Sequence, residues 1–268
     1  MNTAPLTSRL AALAAASLLA VWAPGASAAQ PAPAAPQPAS ALHADHTPPA
    51  DAKAWTPSTL RQTLASLPKG NATQGQKVHE QLFCVSCHGA KGVAPTQNWP
   101  HLAGQRAAYT AKMLLDYQSG LRAEGQRAAL MHDIAVMMTP QQIADVSAFY
   151  ALQAAPRDDG TPRPNPQKAP KDFDAAQLIR KGDPARLLTP CASCHGVAGQ
   201  GGNREASALA GQNPLYFVRT LLDYQTGVRA NDSAKGMSTF AKKLTRTEIE
   251  ALATHYADLP MGKTSSAR

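Results

Sequence analysis

A five-residue cysteine motif that occurs twice constrains this 268-residue chain more than any other feature. The chain has four cysteines, and each lies in a Cys-x-x-Cys-His segment that is followed by glycine. The two segments are Cys84-Val85-Ser86-Cys87-His88 and Cys191-Ala192-Ser193-Cys194-His195. Identical spacing in two parts of one chain predicts two equivalent sites, each formed by one segment.

Cys-x-x-Cys-His is the attachment signature of a c-type haem. Each thiol adds across one vinyl group of the porphyrin to form a thioether, and the histidine that follows becomes the proximal ligand of the iron. The sequence therefore predicts two covalently bound haem c groups. The predicted residues are Cys84, Cys87 and His88 for the first group, and Cys191, Cys194 and His195 for the second.

Three other uses of paired cysteines explain the motif less well. A thioredoxin-like redox pair needs no histidine after the second cysteine. A zinc ribbon places two cysteine pairs about 15–20 residues apart on one metal, whereas Cys191 follows Cys84 by 107 positions. A disulfide within each pair suits an oxidising compartment, but it leaves His88 and His195 without a role.

The motifs are part of a longer internal repeat, which predicts two similar domains in tandem. At the same offset of 107 positions, Leu-Ala-Gly-Gln occurs at 102–105 and 209–212, and Leu-Leu-Asp-Tyr-Gln at 114–118 and 221–225. Further pairs are Tyr109 with Tyr216, Arg122 with Arg229 and, after the loss of one residue, Met131 with Met237. The paired tyrosines and arginines suit either core packing or ion pairing with haem propionates.

Local composition predicts the boundaries of the other segments of the chain. Arg9, a short apolar run over 10–23 and Ala26-Ser27-Ala28 are typical of a cleaved secretory signal peptide, with an uncleaved anchor as the alternative. Two stretches rich in proline predict an extended tail and a linker. The predicted organisation is signal peptide 1–28, disordered Ala/Pro-rich tail 29–69, first domain 70–154, Pro-rich linker 155–171, second domain 172–262 and C-terminal tail 263–268.

Each domain is predicted to be all-α. Helices are predicted over 73–83 and 174–181, and a middle helix carries an apolar stripe that includes Tyr109 and Tyr117. The last helix of each copy opens with a capping box, at Thr139 and at Thr245. Because no stretch alternates with a period of two, no sheet is expected.

The sixth ligand of each iron has several candidates, but one position serves both copies. The candidates are Met113, Met131, Met137, Met138, His79, His101 and His132 in the first copy, and Met237, Met261 and His255 in the second. Met131 and Met237 share a repeat position, whereas Met137 aligns with Lys243. They are therefore predicted as the distal axial ligands, on a loop that leads into the last helix. Histidine and methionine together close the iron, which favours electron transfer over bond chemistry.

The net charge of +8 does not indicate a nucleic-acid-binding protein. Residues 70–152 carry six basic and five acidic side chains, and residues 172–268 carry twelve and nine. The excess is scattered, with no basic run and no interleaved aromatic residues, so no nucleic-acid partner is expected.

Taken together, the two Cys-x-x-Cys-His-Gly segments, the repeated Leu-Ala-Gly-Gln and tyrosine, the Asp-Tyr-Gln-x-Gly stretch and Met237 before a capped helix resemble the cytochrome c4 family over about residues 70–260. The resemblance implies a periplasmic di-haem cytochrome c with two tandem class I cytochrome c domains. It implies an electron carrier, not an enzyme, between quinol-oxidising complexes and terminal oxidases, soluble or peripherally associated with a membrane. It also implies haem edges that face each other, with propionates near the domain interface.

Two other functions stay open. A di-haem subunit that accepts electrons from a periplasmic dehydrogenase would have a stable catalytic partner. A haem enzyme, either a di-haem peroxidase or a thiosulfate-oxidising type, would need an open or non-methionine sixth position on one iron.

The sequence departs from the family pattern in two places. In class I domains a proline carbonyl often accepts the N–H of the proximal histidine, and Pro100 fits that role in the first copy. The second copy has Ser207 at the matching position and no proline between Gly196 and Pro214, so another carbonyl must orient His195. The tail at 29–69 is also atypical and suits tethering or docking.

Overall fold

The computed structural model describes residues 52–154, 173–203 and 205–259, which all fall in the same structural unit. The predicted signal peptide, the tail up to residue 51, the linker at 155–171 and the C-terminal tail at 263–268 lie outside the described residues.

The expectation of an all-α fold is confirmed over these ranges. They contain eleven α-helices and no strand, apart from one isolated bridge between Asp183 and Leu188. The helices are α1 (Pro57–Ser66), α2 (Ala72–Gln81), α3 (Val85–His88), α4 (Ala107–Gln118), α5 (Gly125–Ala135), α6 (Pro140–Leu152), α7 (Ala175–Lys181), α8 (Ala192–His195), α9 (Pro214–Thr226), α10 (Gly236–Ala241) and α11 (Arg246–Asp258). In the described ranges, no helix has the length and apolar character needed to cross a bilayer.

In the first copy, α2 crosses α6 at very close range. The crossing is at Gly75, where a methyl group would lie 2.0 Å from the carbonyl oxygen of Asp145 and 2.8 Å from Cβ of Phe149. Next to it, Val78 joins Ile143 and other apolar residues of α4 and α6 in one core. Glycine is therefore needed at position 75 because any side chain would push the two helices apart.

The second copy repeats the plan with a shorter first helix. α7 has seven residues and ends at Gly182, whose φ of +69° suits glycine. The chain then forms a 3₁₀ turn at Pro184–Arg186. Arg186 donates from Nη2 to Oε1 of Glu248 at 2.7 Å, which joins this turn to α11. The core here is formed mainly by α7, α9 and α11, with Ile249 fully buried.

The predicted capping boxes are confirmed in both last helices. Thr139 accepts from the backbone N–H of Gln142, and the Gln142 side chain accepts from the backbone N–H of Thr139. Thr245 and Glu248 make the same reciprocal pair at the start of α11. Both boxes satisfy backbone donors that a helix start leaves free.

The disordered tail predicted for 29–69 is wrong over its last third, because residues 57–66 form α1. Thr56 caps this helix, and Pro57 occupies its first turn. Leu60 is 1% exposed, and Leu64 packs against the core of the first copy. The Ala/Pro-rich composition of the tail as a whole concealed a leucine stripe near its end, which the first copy buries.

We expect Gly75→Ala to lower the free energy of unfolding by about 1–3 kcal/mol, because the added methyl group forces α2 away from α6. Thermal unfolding of the purified holoprotein measures the change. Gln76→Ala is the matched control, since it removes an exposed side chain from the same helix and should change stability by less than about 0.5 kcal/mol. Equal stability of the two variants would contradict the close crossing.

Candidate functional site

Each cysteine motif forms a single helical turn. The backbone N–H of His88 donates to the carbonyl of Cys84 at 2.9 Å, and His195 donates to Cys191 at the same distance. The glycine after each histidine ends the turn with a positive φ, +71° at Gly89. A Cβ on Gly89 would lie 2.0 Å from the carbonyl oxygen of Val93, so the motif requires glycine there.

A backbone carbonyl orients each predicted proximal histidine. His88 donates from Nδ1 to the carbonyl oxygen of Pro100 at 3.1 Å. His195 donates from Nδ1 to the carbonyl oxygen of Ser207 at 2.9 Å. The second copy thus replaces the missing proline with serine at the same repeat position, because only the backbone oxygen is needed. In both copies the bond fixes the tautomer and leaves Nε2 available as a ligand.

Burial sets the protonation of these groups. Burial lowers the pKa of His88 to about 4, although its bond to the Pro100 carbonyl acts in the opposite direction. Burial also lowers the pKa of His195. Both imidazoles are therefore neutral near pH 7, which is the form that binds a metal. None of the four cysteines is in a disulfide, so each sulfur is available for attachment, and burial raises the pKa of the Cys84 and Cys191 thiols.

Met131 and Met237 lie on short helices, α5 and α10, so the predicted loop placement is wrong. In α5, Gln126 to Leu130 are good helix formers, which extends the helix through Met131. Each methionine packs against the core of its own copy. Their assignment as distal ligands stays a prediction.

The other candidate ligands of the first copy have other contacts or positions. Met113 accepts from Nη2 of Arg229 at 3.2 Å through its sulfur. Met137 is 62% exposed, and His79 is hydrogen-bonded through Nδ1 to the hydroxyl of Tyr150 at 2.8 Å. His101 accepts from the backbone N–H of Ala94 through Nδ1.

Four further candidates from the sequence complete the set. Met138 is buried in the first core, and His132 donates from Nδ1 to the carbonyl of Tyr117 at 2.7 Å. In the second copy His255 packs edge-on against Tyr256. Met261 lies outside the described residues.

One continuous cavity of about 490 Å³ reaches both motifs. Helix α1, which lies before the first motif, also contributes to its wall through Leu60. The predicted haem residues that line this cavity are Cys84, His88, Met131, Cys191, Cys194, His195 and Met237. The structure therefore brings together, in one space, nearly all the residues that the sequence assigned to two sites 107 positions apart.

The two copies meet through a reciprocal pair of glutamines. Gln212 accepts from the backbone N–H of His101 at 2.8 Å and donates to its carbonyl at 3.0 Å. Gln105 accepts from the N–H of Ala208 at 2.8 Å and donates to its carbonyl at 3.1 Å. Both glutamines and both backbone partners are repeat mates, so the interface has approximate two-fold symmetry. The repetition of Leu-Ala-Gly-Gln is visible in the sequence, but the sequence alone assigns its glutamine no role.

A second group of buried residues joins the copies beside the cavity. Asp116 on α4 accepts from Nζ of Lys112 at 2.6 Å and from Nδ2 of Asn231 at 2.5 Å. The indole N–H of Trp55, just before α1, donates to the other oxygen of Asp116. This network therefore connects the N-terminal segment, the first copy and the second copy.

Two buried arginines make this region suitable for an anionic group. Arg122 pairs with Glu124, and its Nε lies 2.7 Å from Oε1. At the matching positions the second copy has Arg229 and Asn231, so Arg229 has no carboxylate at that place. Nη1 of Arg229 is buried without a hydrogen-bond partner among the described residues. An unpaired buried guanidinium is costly unless an anion accompanies it.

The positive charge of the same two arginines also acts on the hydroxyl of Tyr216. Burial by itself would raise the pKa of its hydroxyl, but Arg122 and Arg229 lower it to about 8. The residues present fit a haem c, because the thiols supply the attachment points, the neutral imidazoles supply a ligand atom, and the arginines complement propionate carboxylates.

Comparison with known proteins gives the same class. A family model described as Cytochrome c matches residues 72–151. Cytochrome c4 of Thiocapsa roseopersicina is 32% identical over 197 residues, which cover 73% of this chain and 96% of that protein. The thiosulfate dehydrogenase electron acceptor of Stutzerimonas stutzeri strain A1501 is 29% identical over 218 residues, covering 78% and 97%. The structure of reduced recombinant cytochrome c4 from Pseudomonas stutzeri matches with a TM-score of 0.60 and 28% identity, covering 71% of this chain and 99% of that one.

The fold and the doubled motif define a di-haem c-type cytochrome that transfers electrons. Within that class, the chain belongs to the cytochrome c4 family. It carries two covalently bound haem c groups.

Arg122 has a carboxylate partner in Glu124, whereas Arg229 has the neutral Asn231. The redox potentials of the two haems should therefore differ. We expect Glu124→Gln to raise a haem potential and Arg229→Met to lower one, because positive charge favours the reduced iron. Shifts on the order of tens of millivolts are expected for groups in this setting. A spectroscopic redox titration of each purified variant measures them. Shifts of the same sign in both variants would contradict this electrostatic account.

Proposed function

We propose that the two irons have His/Met axial ligation and that this chain is a periplasmic carrier of single electrons. In the first copy, Cys84 and Cys87 would form the thioethers and His88 and Met131 the axial bonds. In the second copy, the corresponding residues are Cys191, Cys194, His195 and Met237.

The observation that carries this proposal is the shared cavity. Both motif histidines and both repeat-matched methionines line it, although they come from distant parts of the chain. Met131 and Met237 are the pair that occupies one repeat position in both copies. A carrier with two sites that open into one space can pass an electron from one copy to the other.

The haem iron supplies the one-electron redox couple when the group is bound. The chain's own residues determine how that couple is used. The carbonyls of Pro100 and Ser207 hold the histidines in one orientation, and the apolar cores exclude water around the methionines. With both axial positions filled, the chain offers no open coordination site for a substrate, so it acts as a carrier and not as an enzyme.

We place the two domains at 70–154 and 172–262, joined by the Pro-rich stretch at 155–171. The N-terminal signal segment supports export to the periplasm, with peripheral membrane association as a further feature of such carriers. A quinol-oxidising complex is the proposed donor and a terminal oxidase the proposed acceptor.

A second function has its own support. A relative with 97% of its length matched is named a thiosulfate dehydrogenase electron acceptor. The chain would then receive electrons from a periplasmic dehydrogenase. Co-purification of a catalytic partner with the native protein would favour this function. Reduction of the isolated protein by a quinol-oxidising complex, with no such partner present, would favour the carrier function.

Replacing either predicted distal ligand tests the ligation. We expect Met131→Ala and Met237→Ala each to remove about half of the thioether-to-iron charge-transfer absorbance and to open one haem to cyanide. The loss follows because alanine has no sulfur to donate. Optical titration of the oxidised holoprotein with cyanide measures both effects.

Met137→Ala is the matched control, because Met137 is 62% exposed and lies six residues after Met131. Its spectrum should equal that of the unmodified protein. A full band in Met131→Ala, or a lost band in Met137→Ala, would show that another residue binds the first iron.

A further inference from the structure

The orientation of each proximal histidine depends on a single peptide group that the other copy also contacts. The carbonyl of Pro100 accepts from Nδ1 of His88 at 3.1 Å. The N–H of the same peptide group belongs to His101, and it donates to Oε1 of Gln212 in the second copy at 2.8 Å. Because a peptide group is rigid and planar, its C=O and N–H move together.

The second copy has the same arrangement with the roles exchanged. The carbonyl of Ser207 accepts from Nδ1 of His195 at 2.9 Å. The N–H of that peptide belongs to Ala208 and donates to Oε1 of Gln105 in the first copy at 2.8 Å. Each histidine is thus one peptide group away from the glutamine of the opposite copy.

The same two glutamines also hold the next peptide group along each loop. Nε2 of Gln212 donates to the carbonyl of His101 at 3.0 Å, and Nε2 of Gln105 donates to that of Ala208 at 3.1 Å. Both glutamines are buried, with 5–6% of their surface exposed, so water does not compete for these bonds. Each glutamine therefore bonds both peptide groups that flank one residue, His101 or Ala208, so the peptide that orients the histidine is held directly through its N–H and indirectly through its neighbour.

Consecutive hydrogen bonds through a peptide group reinforce one another. An acceptor on the N–H side polarises the amide and makes its carbonyl oxygen a stronger acceptor. A stronger acceptor at Nδ1 raises the basicity of the imidazole and fixes its ring. The glutamine of one copy is therefore placed to influence the metal-binding strength of the histidine in the other.

We propose that Gln212 is a positioning residue for His88 and that Gln105 is a positioning residue for His195, so that each copy sets the proximal ligand of its partner. The proposal rests on the haem ligation proposed above. It predicts a crossed response: a change in the second copy alters the first haem, and a change in the first copy alters the second haem. It also gives the repeated Leu-Ala-Gly-Gln a function across the interface.

The test uses the holoprotein with Gln212→Met or Gln105→Met, which keep the side-chain volume and lose both hydrogen bonds. We expect the Nδ1–H of His88 to exchange with solvent about tenfold faster in Gln212→Met, while that of His195 changes less than about twofold. Gln105→Met should give the reverse. Proton NMR of the reduced protein resolves the two signals, and Met131→Ala and Met237→Ala assign them to the copies.

The potentials provide a second readout. Loss of the glutamine weakens the acceptor at Nδ1, so the potential should rise at the first haem in Gln212→Met and at the second in Gln105→Met. Gln212→Glu keeps an acceptor oxygen for the His101 N–H and should restore slow exchange at His88. If a methionine variant does not yield holoprotein, Gln212→Asn and Gln105→Asn replace it, since their amides are one methylene too short.

Asn213→Ala is the matched control. Asn213 also reaches from the second copy to the backbone of the first, and its Nδ2 lies 2.6 Å from the carbonyl oxygen of Trp99, but it does not touch the peptide between residues 100 and 101. Asn213→Ala should weaken the contact between the two copies and leave the solvent-exchange rate of the His88 Nδ1–H unchanged.

Provided that the thioether-to-iron bands are intact, three results would overturn the crossed positioning. These are an equal response of both haems, a response confined to the mutated copy, and no response. Absence of those bands in the unmodified protein would instead overturn the proposed ligation, so the two failures are distinguishable.

Discussion

The hydrogen bond from each motif histidine to a backbone carbonyl is the interaction on which the rest of the site depends. Without it the imidazole could rotate within its short helical turn, and the free nitrogen would have no fixed direction. The acceptors, at Pro100 and Ser207, lie twelve residues after their histidines. The loop that supplies each acceptor is also the loop that meets the other copy. Ligand orientation and domain assembly are therefore two consequences of one loop conformation.

The two copies are alike in these bonds and unlike in their charges. The symmetric part comprises the histidine–carbonyl bonds and the reciprocal glutamines. The asymmetric part lies beside it, where Arg122 has Glu124 and Arg229 has Asn231. Equivalent geometry with unequal electrostatics gives two similar haem sites a means to differ in potential. A carrier that passes an electron in a preferred direction needs such a difference.

The N-terminal segment shows where composition misleads. A tail rich in alanine and proline is expected to be extended chain, yet its last part forms α1, which buries Leu60, and Trp55 just before that helix donates to Asp116. Helix α1 is short, and it becomes stable because the first copy covers its leucines. The position of Met131 misleads in the same way, since helix propensity carried α5 through a residue that was expected in a loop.

The sequence by itself determined the cofactor class, the number of sites, the all-α fold and the two-copy organisation. These follow from local chemistry and repetition, because thiols, a histidine and a turn glycine at fixed spacing have few other uses. Only the tertiary structure decided that both sites open into one cavity, that Ser207 replaces a proline, and that Gln105 and Gln212 exchange partners. The acceptor for His195 and the partners of the glutamines are backbone atoms, which every residue carries, and the shared cavity depends on how the two copies pack, so side-chain identity could not reveal these facts before the chain was folded.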